Sequence, residues 1–155
     1  MPYSLYCIGM EFDTVFGCCL CGLRDRIIEA LSSIPGTFLT GDPVNRLPGF
    51  ASFTVEGIIH SAYLVNDLNE AGISVSSGSA CSAASREASH VLLALGYDSE
   101  HASGSLRITL GRDNTEEQID YLISVLPDII MQRRLKSKNN PLSLFDAPHA
   151  PDTID

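Results

Sequence analysis

The sequence predicts an α+β domain with one mixed or antiparallel sheet that helices cover on one face. Segments of helical periodicity alternate along the chain with short segments of strand periodicity. With 155 residues and a hydrophobic content of 45%, the chain is long enough to bury a core as one domain. Its net charge of -9 disfavours nucleic acid and anionic membranes as partners, because both are bound by basic patches.

The first half of the chain predicts two helices and two strands. Apolar residues at helical spacing predict a helix over Leu20–Leu31, which the Pro35–Gly36 pair ends. A short strand is expected over Thr37–Thr40, and alternation of apolar and polar residues predicts another over Phe50–Val55. Ser61–Ala71 has one apolar side, which predicts the second helix.

The pattern of residues 73–110 predicts two further strands with short helices between them. Ile73–Ser76 alternates and is expected to form a strand. Ser89–Leu95 and residues 98–104 are expected to be short helices. Leu106–Leu110 alternates regularly, which predicts a strand with one apolar face.

A long helix is predicted towards the end of the chain. Thr115 and Gln118 have the spacing of a capping box at its start. Pro127 falls inside the apolar pattern and is expected to bend or interrupt the helix. Residues 136–155 are proline-rich and aperiodic, so we expect a loosely ordered tail.

One cysteine, Cys81, lies among small residues in the segment SSGSACSAAS, residues 76–85. A single cysteine is most often a small buried hydrophobe. The neighbouring Ser, Gly and Ala residues offer no apolar wall and favour a mobile backbone, so a functional thiol is preferred here. An ordinary thiol pKa of about 8.5 leaves roughly a few per cent as thiolate at neutral pH, so a nucleophile would need a nearby cation or an external base.

A second candidate is Arg107, on the polar side of the strand predicted over Leu106–Leu110. An arginine in such a position commonly points to solvent, and taken alone Arg107 favours that interpretation. The functional alternative is a bidentate clamp on a carboxylate, because a rigid strand can hold the guanidinium fork in place.

The remaining cysteines and the histidines carry no strong signal. Cys18 and Cys21 have a CxxC spacing, with Cys7 and Cys19 nearby, but there is no second such pair and no histidine follows close by. We therefore predict no metal site. The histidines lack metal-ligand spacing and are given no role; they are His60, His90, His101 and His149.

The N-terminal segment does not have the pattern of a secretory signal. It lacks a basic start, and Glu11 and Asp13 interrupt its apolar residues. No apolar run approaches the roughly 20 residues that span a bilayer. Four of the 5 cysteines fall within the first 21 residues, unlike the disulfide framework of a secreted fold. We expect a reducing, cytoplasmic location.

Three motifs in order resemble the cysteine desulfurases, which belong to the pyridoxal-phosphate-dependent class V aminotransferase group. They are SSGSACSAAS, then SHVLLALG at 89–96, then GSLRITLGR at 104–112. The likeness extends upstream through LRDRIIEALSSIPG and GDPVNRLPG and downstream through NTEEQIDYLISVLP, from about Leu23 to Met131. This resemblance implies the small C-terminal domain of a fold-type I pyridoxal-phosphate enzyme.

The resemblance also implies the roles of individual residues. Cys81 would accept the sulfur of L-cysteine, held as an adduct with pyridoxal phosphate, and become a persulfide while L-alanine leaves. Arg107 would hold the substrate carboxylate. The implied partners are L-cysteine, a sulfur-acceptor protein or iron–sulfur scaffold, and a second subunit, because the full-length family is expected to form homodimers.

The lysine that binds the cofactor in this family has no counterpart here, since the only lysines are Lys136 and Lys138. We therefore expect the chain alone not to bind pyridoxal phosphate and to be inactive. We interpret it as a truncated or frameshifted gene product, or a fragment. Residues 1–19 are then a non-family extension, 20–135 the small domain and 136–155 the tail.

Two other functions remain open from the sequence. The chain could be a stand-alone persulfide carrier that receives sulfur on Cys81 from a complete desulfurase. It could also be a degenerate interaction module with no persulfide chemistry. Selenocysteine and cysteine sulfinate are alternative substrates on the same scaffold, and the sequence does not distinguish them from cysteine.

Overall fold

A computed structural model describes residues 14–77 and 89–139 of the chain. The strands in this part form a single sheet, and all of its pairings are antiparallel. This confirms the predicted α+β class and decides in favour of an antiparallel sheet. The strands are β1 (Thr37–Leu39), β2 (Phe50–Val55), β3 (Ser76–Ser77) and β4 (Ser105–Thr109).

The helices of the described part comprise three long ones and two short ones. None of them combines the length and the apolar character that crossing a bilayer requires. The two short helices lie between β3 and β4 in the chain. The helices are α1 (Thr14–Ser32), α2 (Ser61–Glu70), α3 (His90–Ala94), α4 (Ser99–Ser103) and α5 (Glu116–Asn139).

The strand order in the sheet is β1-β2-β4-β3, so β2 and β4 are the inner strands. β4 pairs with β2 along one side and with β3 along the other. This strand pairing brings together residues that lie far apart in sequence. Ser52 of β2 and Ser76 of β3 are both opposite Arg107 of β4.

The hydrophobic core lies between the sheet and a helical layer formed by α1, α2 and α5. Phe53 of β2 and Leu106 of β4 point into this layer and are 0% exposed. They are joined there by Leu31, Leu64 and Leu126, one from each long helix, which are equally buried. Alternation along the inner strands therefore places one whole face of the sheet against the helices.

The third strand begins later than the alternation of Ile73–Ser76 predicts. Gly72 has a positive φ of 78° and ends α2, and the N–H of Ile73 donates to the carbonyl of Leu68 at 2.9 Å. This closing turn uses the backbone of residue 73 to cap the helix, so pairing with β4 starts only at Ser76. The predicted strand was wrong except at its last residue.

Both terminal helices are longer than the sequence predicts. α1 begins at Thr14, before the expected start at Leu20. α5 runs without interruption through Pro127, which is exposed. Residues 136–139 are helical, although the sequence predicts a loosely ordered tail from 136. Residues 140–155 lie outside the described part.

Candidate functional site

Arg107 lies on β4, an inner strand of the sheet. Its sequence neighbours Leu106 and Ile108 are buried against the helical layer. Because successive side chains of a strand point to opposite faces, Arg107 lies on the face away from that layer. Its side chain is half-buried. A strand held on both sides therefore positions the guanidinium on the less covered face of the sheet.

Two serines flank Arg107 on this face. Ser52 of β2 is directly opposite Arg107 on one side, and Ser76 of β3 is directly opposite on the other. Directly opposed residues of antiparallel strands share a face, with Cβ atoms roughly 4.5–5.5 Å apart. Both serines are half-buried. We call Ser52, Arg107 and Ser76 the Arg107 row.

The Arg107 row lies between a buried and an open part of the same face. Towards α4, Thr54 and Ser105 are opposite each other and are 0% and 2% exposed. At the other end, Phe50 is half-buried and its partner Thr109 is exposed. Partial burial lowers the local dielectric constant, so a guanidinium here attracts an anion more strongly than at a fully exposed position.

The guanidinium of Arg107 has no hydrogen-bond or ion-pair partner within the described part of the chain. Other arginines in that part are engaged. Arg133 pairs with Asp67, and Arg26 pairs with Asp120. Among the described groups, the Arg107 cation is thus left available for an anion from outside the sheet.

Cys81 lies outside the described residues, in the segment 78–88. The two ends of that segment are described. Before it, Ser77 ends β3 opposite Leu106, next to the Arg107 row. After it, Ser89 is 3% exposed at the start of α3. The chain that carries Cys81 therefore leaves the sheet directly beside Arg107.

A group of charged side chains lies at α4. His101 Nδ1 is 2.8 Å from Asp98 Oδ1, and His101 Nε2 is 3.3 Å from Glu56 Oε1. The hydrogen bond from the backbone N–H of His101 lowers the pKa of Asp98. The side-chain hydrogen bond to Asp98 raises the pKa of His101. The group joins α4 to the residue that follows β2, a role that the sequence did not predict for His101.

No metal site is found among the described residues, where no three Cys, His, Asp or Glu side chains are arranged to hold an ion. Cys19 is exposed and Cys21 is half-buried on α1. The rest of the N-terminal cysteine group is not described, because Cys7 and the side chain of Cys18 lie outside this part. His149 lies outside it as well.

A family model described as Aminotransferase class-V matches residues 22–122. The matched residues include all of the sheet, the helices between its strands and the Arg107 row. The chain belongs to the aminotransferase class-V family. The cysteine desulfurases, which the sequence motifs resemble, are among the proteins to which the chain is similar.

Two curated relatives and one solved structure illustrate this similarity. The chain is 45% identical over 119 residues to cysteine desulfurase IscS of Methanosarcina thermophila, covering 77% of this chain and 29% of that protein. It is 48% identical over 118 residues to cysteine desulfurase IscS of Clostridium botulinum strain Hall, covering 74% and 30%. A solved NifS-like protein matches with a TM-score of 0.64 at 28% identity, over 77% of this chain and 29% of that one. The chain thus spans about 30% of the length of these relatives.

The lysines of this class-V aminotransferase chain do not fit a pyridoxal phosphate site beside Arg107. Lys136 and Lys138 are its only lysines, and both are exposed in the last turns of α5. α5 belongs to the helical layer, which covers the opposite face of the sheet from Arg107. Neither amino group is placed to form a Schiff base with a cofactor whose substrate Arg107 would hold.

The serines of the Arg107 row were not singled out from the sequence. Alternation along Phe50–Val55 does place Ser52 on the polar face of its strand, so part of the signal is present. The missing part is the pairing, because no local pattern tells which residues of two distant strands are opposite each other.

Proposed function

We propose that this chain is the part of a cysteine desulfurase that supplies the sulfur-accepting thiol, Cys81, and the arginine that holds the substrate carboxylate, Arg107. The observation that supports this most directly is the pairing of Ser76 with Arg107, because the chain from β3 continues into the segment that carries Cys81. Similarity to the two IscS proteins supports L-cysteine as the substrate.

Arg107 would orient the substrate. Its planar guanidinium can form two parallel hydrogen bonds to a carboxylate, which fixes direction as well as position. The inner strand on which it lies limits backbone movement, and the partly buried environment strengthens the ion pair. A cysteine molecule held by its carboxylate would then present its sulfur to a nearby nucleophile.

Cys81 would accept the sulfur. Ser77 and Cys81 are four residues apart, so the chain between them spans at most about 14 Å. The Cys81 thiolate attacks the sulfur of the bound cysteine, a sulfur–sulfur bond forms and the carbon–sulfur bond breaks. The electron pair of that bond stays with the carbon, which takes up a proton to give L-alanine. The persulfide then transfers its outer sulfur to an acceptor protein or iron–sulfur scaffold.

The pyridoxal phosphate that the family resemblance implies would act as the electron sink that makes the carbon–sulfur bond labile. The lysines of this chain do not fit that cofactor. The residues that hold the cofactor would therefore belong to another polypeptide segment. The family resemblance implies that the complete desulfurase is a homodimer. The present chain would contribute only the sulfur-accepting part of that enzyme.

A chimera tests the roles of Cys81 and Arg107. Residues 22–122 would replace the matching segment of the Methanosarcina thermophila relative, and alanine release from cysteine would be measured. We expect turnover by the parent chimera, no sustained alanine formation by C81A, and a KM for cysteine raised at least tenfold in R107A. A chimera that binds the cofactor and forms alanine equally well with C81A or R107A would overturn the assignment.

A persulfide carrier is the second candidate, favoured by the position of the lysines away from the Arg107 face. In that case the unaltered 155-residue chain accepts sulfur from a complete desulfurase supplied with cysteine. Alkylation followed by peptide mass spectrometry would detect persulfide on Cys81 of this chain, with C81A as the control. Absence of that persulfide excludes the carrier function and leaves the chimera result to decide the first proposal.

A further inference from the structure

We propose that Ser52 and Ser76 are positioning residues that keep the guanidinium of Arg107 open for a small monocarboxylate ligand. This inference rests on the proposed function, because it deepens the role given there to Arg107. It concerns what the sheet places around the arginine, which the motifs in the sequence do not show.

The charge around Arg107 is the first support. Ser52 and Ser76 occupy the two positions directly opposite Arg107, where an acidic side chain would form a cross-strand ion pair. The chain has 19 acidic residues against 10 basic ones, yet both of these positions are neutral. Arg133 and Arg26, by contrast, each pair with an aspartate.

The size of the neighbouring side chains is the second support. A serine side chain is short, so it does not extend to the end of an arginine on the adjacent strand. A large residue at both positions would cover the guanidinium. Ser52 and Ser76 therefore leave room on both sides of Arg107, whose side chain is half-buried.

The class of ligand follows from these two features. One guanidinium between two neutral neighbours supplies a single positive charge and a planar pair of donors. That combination matches a carboxylate carrying one negative charge better than a doubly charged phosphate, which needs more donors. The carboxylate of a small amino acid has this charge and fits between short side chains.

Reaction of the unaltered chain with phenylglyoxal, which modifies arginines, tests the inference without turnover. Peptide mass spectrometry would compare the rates at Arg107 and at Arg133, whose side chain is 15% exposed and bound to Asp67. We expect Arg107 to react at least fivefold faster than Arg133 and to be slowed by acetate, the probe carboxylate.

Two substitutions at position 52 separate charge from bulk. S52D places a carboxylate opposite Arg107 and is expected to slow its modification at least fivefold, and S76D is expected to do the same from the other strand. The asparagine of S52N has nearly the same size as the aspartate of S52D but no charge. Arg107 of S52N is therefore expected to be modified at the rate of the parent chain. Circular dichroism would show that each variant is folded.

Three results would overturn the inference. The first is equal rates of modification at Arg107 and Arg133, and the second is unchanged modification of Arg107 in S52D and S76D. The third is that S52N slows modification of Arg107 as strongly as S52D does. The proposed function fails separately, when R107A does not raise the KM of the chimera. If R107A does raise that KM while S52D leaves Arg107 reactive, Arg107 binds the carboxylate and the serines have no part in keeping it open.

Discussion

The side chain of His101 lies between two carboxylates. Asp98 is the N-cap residue of α4 and accepts a hydrogen bond from the backbone N–H of His101 at 2.8 Å, in addition to the contact with its ring. Glu56 approaches the other ring nitrogen, and the ring of Phe38 lies 6.0 Å from the imidazole, centroid to centroid. The imidazolium form is therefore favoured in the folded chain.

We predict that His101 contributes stability that is lost as the pH rises. The hydrogen bond to Asp98, with that to Glu56, raises the pKa of His101 above its ordinary value of 6.5. The contribution is complete below pH 6.5 and disappears as the pH passes through the higher folded-state pKa. An NMR titration of the imidazole resonances would measure that pKa, and a value at or below 6.5 would contradict the prediction.

Thermal unfolding of variants gives an independent check of the same contribution. H101Q should remove most of the difference in melting temperature between pH 6 and pH 8 that the parent shows, roughly the range over which a histidine titrates. H90Q, which alters an exposed histidine on α3, is the matched control and should retain that difference.

Gly104 closes the turn between α4 and β4 at a position with no room for a side chain. A Cβ there would lie 2.3 Å from the carbonyl oxygen of Val55 and 3.2 Å from that of Ile58. Its backbone N–H and C=O are close to β2, and its carbonyl accepts from the N–H of Val55 at 3.0 Å. The close approach, and not an unusual φ, is what requires glycine here.

We predict that G104A lowers the free energy of unfolding by about 1–3 kcal/mol, because backbone atoms must move to admit the methyl group. G22A in α1 is the matched control. A Cβ at Gly22 would meet nothing within 4 Å, so this change should stabilise the helix by about 0.5–1 kcal/mol. Urea unfolding measures both, and equal effects of the same sign would contradict the explanation.

Among the helices, α2 and α5 are joined by a partly buried ion pair. Arg133 of α5 binds both oxygens of Asp67 of α2, and each side chain is 15% exposed. The guanidinium also lies over the ring of Tyr63, 5.3 Å from its centroid. The pair therefore fixes the C-terminal part of α5, beyond Pro127, against the helix that precedes β3.

We predict that D67A destabilises the chain by about 3 kcal/mol, because it leaves the Arg133 charge buried without its partner. The control is R26A, which removes the exposed ion pairs of Arg26 with Asp120 and Glu116. Arg26 is 40% exposed and the two acidic side chains are 62% and 80% exposed, so R26A should cost less than about 1 kcal/mol. Urea unfolding of both variants tests this, and equal losses of stability would show that burial does not decide the effect.

Across the whole molecule, the two faces of the sheet differ. The helical layer covers one face with an apolar core, and the other face carries the Arg107 row at the edge of its open part. All of the lysines of the chain are on α5, in the layer that the sheet separates from Arg107. The chain therefore places no lysine on the face of the sheet that carries Arg107.

We therefore predict that the 155-residue chain mixed with pyridoxal phosphate shows only the absorbance of the free cofactor and forms no alanine from cysteine. Visible spectroscopy and amino-acid analysis measure the two outcomes. The complete IscS relative serves as the positive control. A new cofactor band with sustained alanine formation from the chain alone would contradict the prediction.

Local patterns predicted most elements, and their errors have local causes. The strand Phe50–Val55 was correct at both ends, because alternation over six residues is a strong signal. Ile73–Ser76 was misplaced because the capping turn after α2 uses backbone that the alternation assigned to the strand. At Pro127 the sequence left a bend or an interruption open, and α5 continues as a helix because packing on both sides of the proline outweighs one lost hydrogen bond.

The sequence by itself determined the family, the α+β class and the two candidate residues, because these depend on ordered motifs and on periodicity along the chain. Only the tertiary structure decided which residues are opposite Arg107 and that the lysines lie across the sheet from it. Strand register and the choice of face are properties of contacts between distant segments, which no local pattern contains. Arg107 is a candidate in the sequence, and the antiparallel sheet shows the serines between which it lies.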